Sequence, residues 1–238
     1  MFHQQRRGGN VYRITAMSFT VSNIISGLAS LIFFRKRKYN LAVVSIVLAS
    51  IFDVLDGWAA RKSGSTGSRG RYLDSVADLT SFGIVPTLNL LSVSNSRIYR
   101  LVAALYSSAI VFRLIRFTYG TEVAGEFSGM PSPATALAVT GSTALAAKHS
   151  NLSWLAPLTT LVFSGLAVSK LRYGKITHPS IGVLPKAVTV LLFGGHFILL
   201  FFFPGISALS LMIIYAVLAP SVMSKFKRQH RNDAQGVS

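Results

Sequence analysis

The sequence predicts an all-α polytopic bundle of membrane-spanning helices. Three observations carry that prediction. Of 238 residues, 51% are hydrophobic and only 13% are charged, where an ordinary soluble domain carries roughly 25% charged residues. The mean hydropathy is +0.51, which also excludes a disordered chain. The apolar residues run in stretches of about 20, the length of helix that crosses a hydrocarbon core roughly 30 Å thick.

Eight runs fit that length: 14–34, 40–61, 72–94, 98–118, 133–148, 152–169, 184–203 and 206–223. The first is too long for the apolar part of a cleavable signal, and no small-residue cleavage pattern follows it, so it is expected to remain as an anchor. The second and third are joined by residues 62–70, a short Gly/Ser-rich stretch that makes them antiparallel neighbours. The fourth ends on Arg113 and Arg116. The fifth is short and opens at Pro131 and Pro133. The sixth, 152–169, precedes a basic stretch. The seventh and eighth meet at Pro204-Gly205, a turn signal. Residues 1–223 thus read as a single integral-membrane catalytic domain, and 224–238 as a basic, flexible tail.

The charge balance is lopsided, with 24 Lys and Arg against 7 Asp and Glu, a net of +17. The basic residues sit in short clusters between apolar runs, which fits contact with membrane lipids and argues against nucleic acid. With the N-terminus in the cytoplasm, 17 of the 24 fall inside, as the positive-inside rule asks. The cluster Arg35–Lys38 then lies on the other side. There is no cysteine, which excludes disulfides, thiol nucleophiles, Cys-ligated zinc and iron–sulfur clusters.

The acids are sharper evidence. Four of the seven, Asp53, Asp56, Asp74 and Asp78, fall within 26 residues of an apolar stretch. Asp53 and Asp56 are three apart on the second helix, about 60° apart around its axis, and Asp74 and Asp78 are four apart on the third, about 40° apart. Across a short connector the two pairs can face each other at one depth. A carboxylate at a helix centre costs about 2.5–3.5 kcal/mol to insert, so four together require a use and a compensating positive charge. Arg61 can offset one charge, and divalent cations the rest. An all-oxygen set without histidine favours Mg²⁺ or Mn²⁺ over zinc, and a pair of such ions would clamp phosphoryl oxygens. The same carboxylates would also suit a cation transporter, although the chain shows no related halves of broken helices. Glu122 and Glu126 read as loop charges, and His196 as a packing residue.

In order, Asp53, Asp56, Gly57, Ala60, Arg61, Gly70, Asp74 and Asp78 match every defined position of the signature of the CDP-alcohol phosphatidyltransferases, which the chain resembles. Further segments are similar to one branch, the CDP-diacylglycerol–serine O-phosphatidyltransferases. They are Ser81–Pro86, Arg113–Phe117, Phe127–Ala134 and Ser169–Tyr173. Thr20, Asn23 and Gly27 are similar to the family's first helix.

The resemblance implies a six-helix core with two added helices, a homodimer, and an active site near the cytoplasmic face. It implies transfer of a phosphatidyl group from CDP-diacylglycerol to L-serine, with release of CMP and dependence on two Mg²⁺ or Mn²⁺ ions. It assigns metal to Asp53, Asp56, Asp74 and Asp78, with Asp78 also the general base. It assigns the CDP moiety to Asn23, Gly57, Ala60, Arg61 and Gly70. Arg113 and Arg116 are candidates for the serine carboxylate or a lipid phosphate, since a guanidinium pairs with either. Glycerol 3-phosphate or inositol phosphate as acceptor, and an archaeal CDP-ether lipid as donor, are the alternatives within the class.

Overall fold

A computed structural model describes residues 2–63, 68–119, 126–174, 199–200 and 202–235. Most of the seventh candidate span (184–203), Glu122, His196 and residues 64–67 of the connector lie outside the described residues. The elements are α1 (Phe2–Arg35), α2 (Tyr39–Lys62), α3 (Ser68–Asp78), a π-helical turn (Leu79–Ile84), α4 (Val85–Val93), α5 (Arg97–Tyr119), β1 (Glu126–Ser128), α6 (Ser132–Lys148), a 3₁₀ turn (Ser150–Leu152), α7 (Leu155–Val168), β2 (Arg172–Gly174) and α8 (Pro204–Gln235). Among the described residues, five helical segments are long and apolar enough to cross a membrane: Val11–Arg35, Tyr39–Lys62, Tyr72–Val93, Arg97–Arg116 and Ser150–Val168. The bundle is therefore helical, as the sequence predicts. The exception is β1 and β2, an antiparallel pair with Phe127 opposite Tyr173.

The outer helices turn an apolar stripe outward. On α1, Ile14, Met17, Val21, Ile25, Leu28 and Ile32 recur at helical spacing and are exposed, whereas Asn23, Ser30 and Phe34 are buried. This is the reverse of a soluble helix and suits lipid outside with small and polar groups between helices. The hydroxyls that face inward or lie along the helices mostly satisfy themselves. Ser45, Ser50, Thr80, Thr87, Ser107, Thr160 and Ser164 each donate to the carbonyl one turn back, so none needs water in the bilayer.

Helix α6 is the centre. It packs against α2, α4, α7 and α8, and 11 of its 17 residues are buried. Its small residues permit this. A Cβ at Gly141 would stand 2.9 Å from the carbonyl oxygen of Gly205 on α8, so the two backbones touch. At 17 residues it rises about 25 Å, short of a full span. Elsewhere α1 turns into α2 through a tight cap. Arg37 takes φ +58°, Lys38 N–H donates to Phe33 O at 2.9 Å and Arg37 N–H to Phe34 O at 3.0 Å, a Schellman closure with arginine where glycine is usual.

Pro86 shapes the third span. It sits in the first turn of α4 and has no N–H for the carbonyl of Phe82, and its ring crowds that carbonyl. The helix answers with a π turn, in which Val85 N–H reaches back to Thr80 O. The orphaned Phe82 carbonyl accepts instead from Tyr106 Oη at 2.5 Å. The turn also presents Ser81 to α1, where a Cβ on Gly27 would stand 2.9 Å from Ser81 Cα.

Two boundaries differ from the sequence reading. α1 begins at Phe2 rather than at 14, and α8 continues through the basic tail to Gln235. Polar residues in both places are adequate helix formers once a span has nucleated the helix. Pro220 lies within α8.

Gly27→Ala is expected to lower stability by about 1–3 kcal/mol through overpacking against Ser81. Thermal unfolding of the detergent-solubilised protein should show a lower midpoint, and an unchanged midpoint would mean that α1 and the π turn separate freely.

Candidate active site

The chain runs up and down, so alternate helix ends gather at one face of the bundle. Lys148 donates to Asn40, and Tyr99 Oη donates to Ser153 O at 2.6 Å; these mark the far end. The carboxylates gather at the other end. Asp53 and Asp56 lie in the C-terminal half of α2, and Asp74 and Asp78 lie on α3. One oxygen from each of Asp53, Asp56 and Asp74 lies within 4.8 Å of the others. Asp78, the last residue of α3, brings its carboxyl close to that of Asp53. Asp56 is only 4% exposed, and its Oδ2 accepts from Thr20 Oγ1 on α1 at 3.1 Å.

Full charges at that separation repel by roughly 3–4 kcal/mol per pair at an effective dielectric near 20. Positive charge must answer them. Arg113 lies within electrostatic reach of Asp53 and Asp78; it is buried and donates to Ser132 Oγ at the start of α6. Arg61, to which sequence reasoning gives this role, is exposed and lies along its own helix, its Nη1 3.3 Å from where a Cβ on Gly57 would be. The donor set also fits a hard divalent ion. The three grouped ligands are carboxylate oxygens, and Asp74 Oδ1 and Asp78 Oδ1 are buried with no hydrogen-bond partner among the described residues.

Asn23 lies one turn beyond Thr20 and is fully buried. Its backbone carbonyl accepts from Ser81 Oγ at 3.1 Å. Its amide Nδ2 and Oδ1 have no partner among the described residues. Gly57 and Ala60 are half-buried on α2, and Gly70 is exposed on α3 with open space about its Cα. Sequence reasoning missed Tyr106 and Tyr215, because a lone tyrosine in an apolar run reads as packing. The hydroxyl contact of Thr20 to Asp56 was within its reach, in the polar stripe Thr20, Asn23, Gly27.

The model of the CDP-alcohol phosphatidyltransferase family matches residues 13–170. The chain belongs to that family. It is 36% identical over 151 residues to the CDP-diacylglycerol–serine O-phosphatidyltransferase of Mycobacterium leprae (strain TN), covering 60% of this chain and 50% of that protein. It is 32% identical over 198 residues to the protein of the same name from Methanocaldococcus jannaschii, covering 83% and 88%. It is 33% identical over 158 residues to the archaetidylserine synthase of Methanothermobacter thermautotrophicus, covering 65% and 66%. The chain thus spans about half the length of the mycobacterial relative and most of the Methanocaldococcus one.

In this family member, four segments scattered in sequence form one wall beside the carboxylates. The π turn contains Ser81–Ile84. Arg113 on α5 holds Ser132 at the head of α6. Gly129, at φ +84°, lets the chain pass the end of α7, where a Cβ would stand 3.1 Å from the Ala167 carbonyl carbon and 3.0 Å from Arg116 Nη2. Gly129 N–H donates to Leu171 O at 2.8 Å and Met130 N–H to Leu166 O at 3.0 Å. Ser128 pairs with Arg172 through the strand backbone. Tyr173 is buried beneath this pair, and burial holds its phenol above the usual range and so neutral.

Titration of the detergent-solubilised protein with Mn²⁺, followed by electron paramagnetic resonance of the free ion, is expected to show binding that Asp53→Asn or Asp74→Asn weakens by about tenfold or more, because each change removes a charged ligand. Equal binding by wild type and both variants would remove the carboxylate cluster as a cation site.

Proposed function

We propose that this chain transfers a phosphatidyl group from CDP-diacylglycerol to the hydroxyl of L-serine, giving phosphatidylserine and CMP. The observation that carries the reading is the carboxylate cluster of α2 and α3 in a member of this family, walled by segments similar to those of the serine branch. The names of the similar proteins support serine as the acceptor. The likeness to an archaetidylserine synthase favours, as second reading, a CDP-ether lipid as donor with serine unchanged.

The chain's own groups divide the work. Asp53, Asp56, Asp74 and Asp78 would hold two Mg²⁺ or Mn²⁺ ions, which would bind the diphosphate oxygens and offset charge on the departing CMP. Asn23 offers a donor and an acceptor to the cytosine edge, beside the half-buried Gly57 and Ala60, whose small side chains leave room for a flat base. Arg61 and Gly70 flank that opening at the ends of α2 and α3. Asp78 takes the proton of the serine hydroxyl, whose oxygen attacks the phosphorus that carries the lipid. The bond from that phosphorus to the CMP oxygen breaks, and CMP leaves with the electron pair. Arg113 offsets charge beside Asp78, and Arg116 stands next to it at the wall. The diacylglycerol tails stay in the bilayer against the exposed apolar faces, which accounts for a transferase built of membrane helices. The site end carries Arg61, Lys62, Arg113 and Arg116, and the positive-inside rule places such an end in the cytoplasm.

CMP release in detergent, with CDP-diacylglycerol and Mn²⁺ or Mg²⁺, tests the reading. Release is expected with serine and not with glycerol 3-phosphate, inositol phosphate or no acceptor, and Asp78→Asn should lower it by about 10²–10⁴-fold, the usual contribution of a general base. Release with another acceptor would overturn serine and keep the class. No release with any acceptor, from folded protein loaded with metal, would overturn the ester donor first.

A further inference from the structure

Helix α3 is 11 residues long and carries two of the four carboxylates, so its setting decides where they stand. One flank of it is held by a seam with α5. The seam runs from α4 through the π turn to α3 in a steady antiparallel register. Toward the far end of the bundle, Thr87 Oγ1 and Ser107 Oγ share a hydrogen bond of 2.9 Å. Four residues back along the chain, a Cβ on Gly83 would stand 3.3 Å from Ile110 Cγ2, three residues on from Ser107. One turn further back, Leu79 packs on the cluster that holds Tyr106, Ile110 and Leu114. Eight residues back from Gly83 and eight on from Ile110, the hydroxyls of Ser75 and Thr118 share a hydrogen bond of 2.9 Å. That pair closes the seam at the end where the carboxylates lie.

Ser75 stands beside the carboxylates on the same face of α3. Around a helix of 3.6 residues per turn, Asp78 lies about 40° and Ser75 about 100° from Asp74. Tyr72, Leu73 and Val76 are exposed, whereas Asp74, Ser75 and Asp78 are half-buried and Ala77 is buried. The Asp74 edge of this face meets α2, where a carboxylate oxygen lies within 4.8 Å of those of Asp53 and Asp56. The Ser75 edge meets α5. Rotating α3 about its axis by about 20° would carry a side-chain tip roughly 2 Å along its arc, on a cylinder about 5–6 Å in radius. Metal ligation tolerates only about 0.2 Å. Like charge on the carboxylates pushes Asp74 away from α2. The apolar contacts of the seam are non-directional, whereas a hydroxyl pair has a preferred length and angle.

We infer that the Ser75–Thr118 hydrogen bond fixes the rotation of α3, and with it the reach of Asp74 and Asp78 toward Asp53 and Asp56. Ser75 and Thr118 are positioning residues of the cation site, and they act through the aspartates. This inference rests on the cation reading of the cluster and is independent of which acceptor the chain uses.

Titration of the full detergent-solubilised chain with Mn²⁺, read by electron paramagnetic resonance of the free ion, tests this at a temperature where circular dichroism shows each variant folded. Ser75→Ala and Thr118→Val are each expected to weaken binding about fivefold, the contribution of one hydrogen bond. The double variant should lose no more than either single one, because both changes remove the same bond. Thr118→Ser keeps the hydroxyl and should bind within about twofold of wild type. So should Thr87→Val, which makes the same chemical change as Thr118→Val at the other end of the seam. Binding within about twofold of wild type by both Ser75→Ala and Thr118→Val would overturn the inference. A loss in Thr87→Val equal to that in Thr118→Val would also overturn it, since the effect would then be a general loosening of the bundle. Losses that add in the double variant would do the same. Wild-type protein that binds no Mn²⁺ would overturn the cation reading itself and this inference with it.

Discussion

Mutual repulsion of carboxylates in a low dielectric is the constraint on which this structure depends. Asp53, Asp56 and Asp74 bring oxygens within 4.8 Å of one another, and Asp78 lies close to Asp53. No membrane bundle gathers such groups without positive charge and firm packing to hold them. Each neighbouring element serves one of those two needs. Thr20 on α1 donates to Asp56. Arg113 on α5 lies within electrostatic reach of Asp53 and Asp78 and donates to Ser132. A divalent ion would supply the rest of the charge, and in doing so would tie α2 to α3.

Close backbone approach gives the packing. There is no hydrophobic drive between helices already in lipid, so contact surfaces must come from small residues. Gly27 lets α1 lie on Ser81, Gly141 lets α6 lie on α8, and Gly129 lets the β1 end pass α7. Pro86 adds to this by forcing the π turn, which moves Ser81 toward α1 and frees the Phe82 carbonyl for Tyr106. π turns recur at functional sites because they aim side chains that a regular helix would point elsewhere. Here the turn follows Asp78 directly, so the strain of Pro86 and the aim of the last carboxylate share one stretch of backbone.

These features were unequally legible in the sequence. The spacing of the four aspartates and the shortness of their connector are enough to set α2 against α3, because three- and four-residue steps on a helix leave little freedom. Helix positions were legible because length and hydropathy in lipid are tightly constrained. The partner of the carboxylates was not. Arg61 is nearer in sequence, but it follows Gly57 along the outside of α2, while Arg113 arrives from a helix whose rotation only the tertiary packing fixes. The strand pair was hidden for a similar reason. Three residues on each side make no period, and the glycine that allows it, Gly129, shows its need only when the Ala167 carbonyl is seen beside it. The tail from 224 reads as polar and loose, yet lies on the same helix as Tyr215, a helix that continues through Pro220.

The division of labour between elements explains how one bundle can serve different acceptors. The motif residues lie on α2 and α3, and in the function proposed above they would answer to the diphosphate. The segments that resemble the serine branch lie on the π turn, α5, the β1–β2 pair and the head of α6, and they meet only in three dimensions. Arg113 is the link between the two sets, because it donates to Ser132 and lies within electrostatic reach of Asp53 and Asp78. A change at the wall can therefore alter what reaches Asp78 without moving the carboxylates, whereas a change at Arg113 alters both. On the proposed function, acceptor choice and chemistry would be separable in this architecture everywhere except at that one side chain.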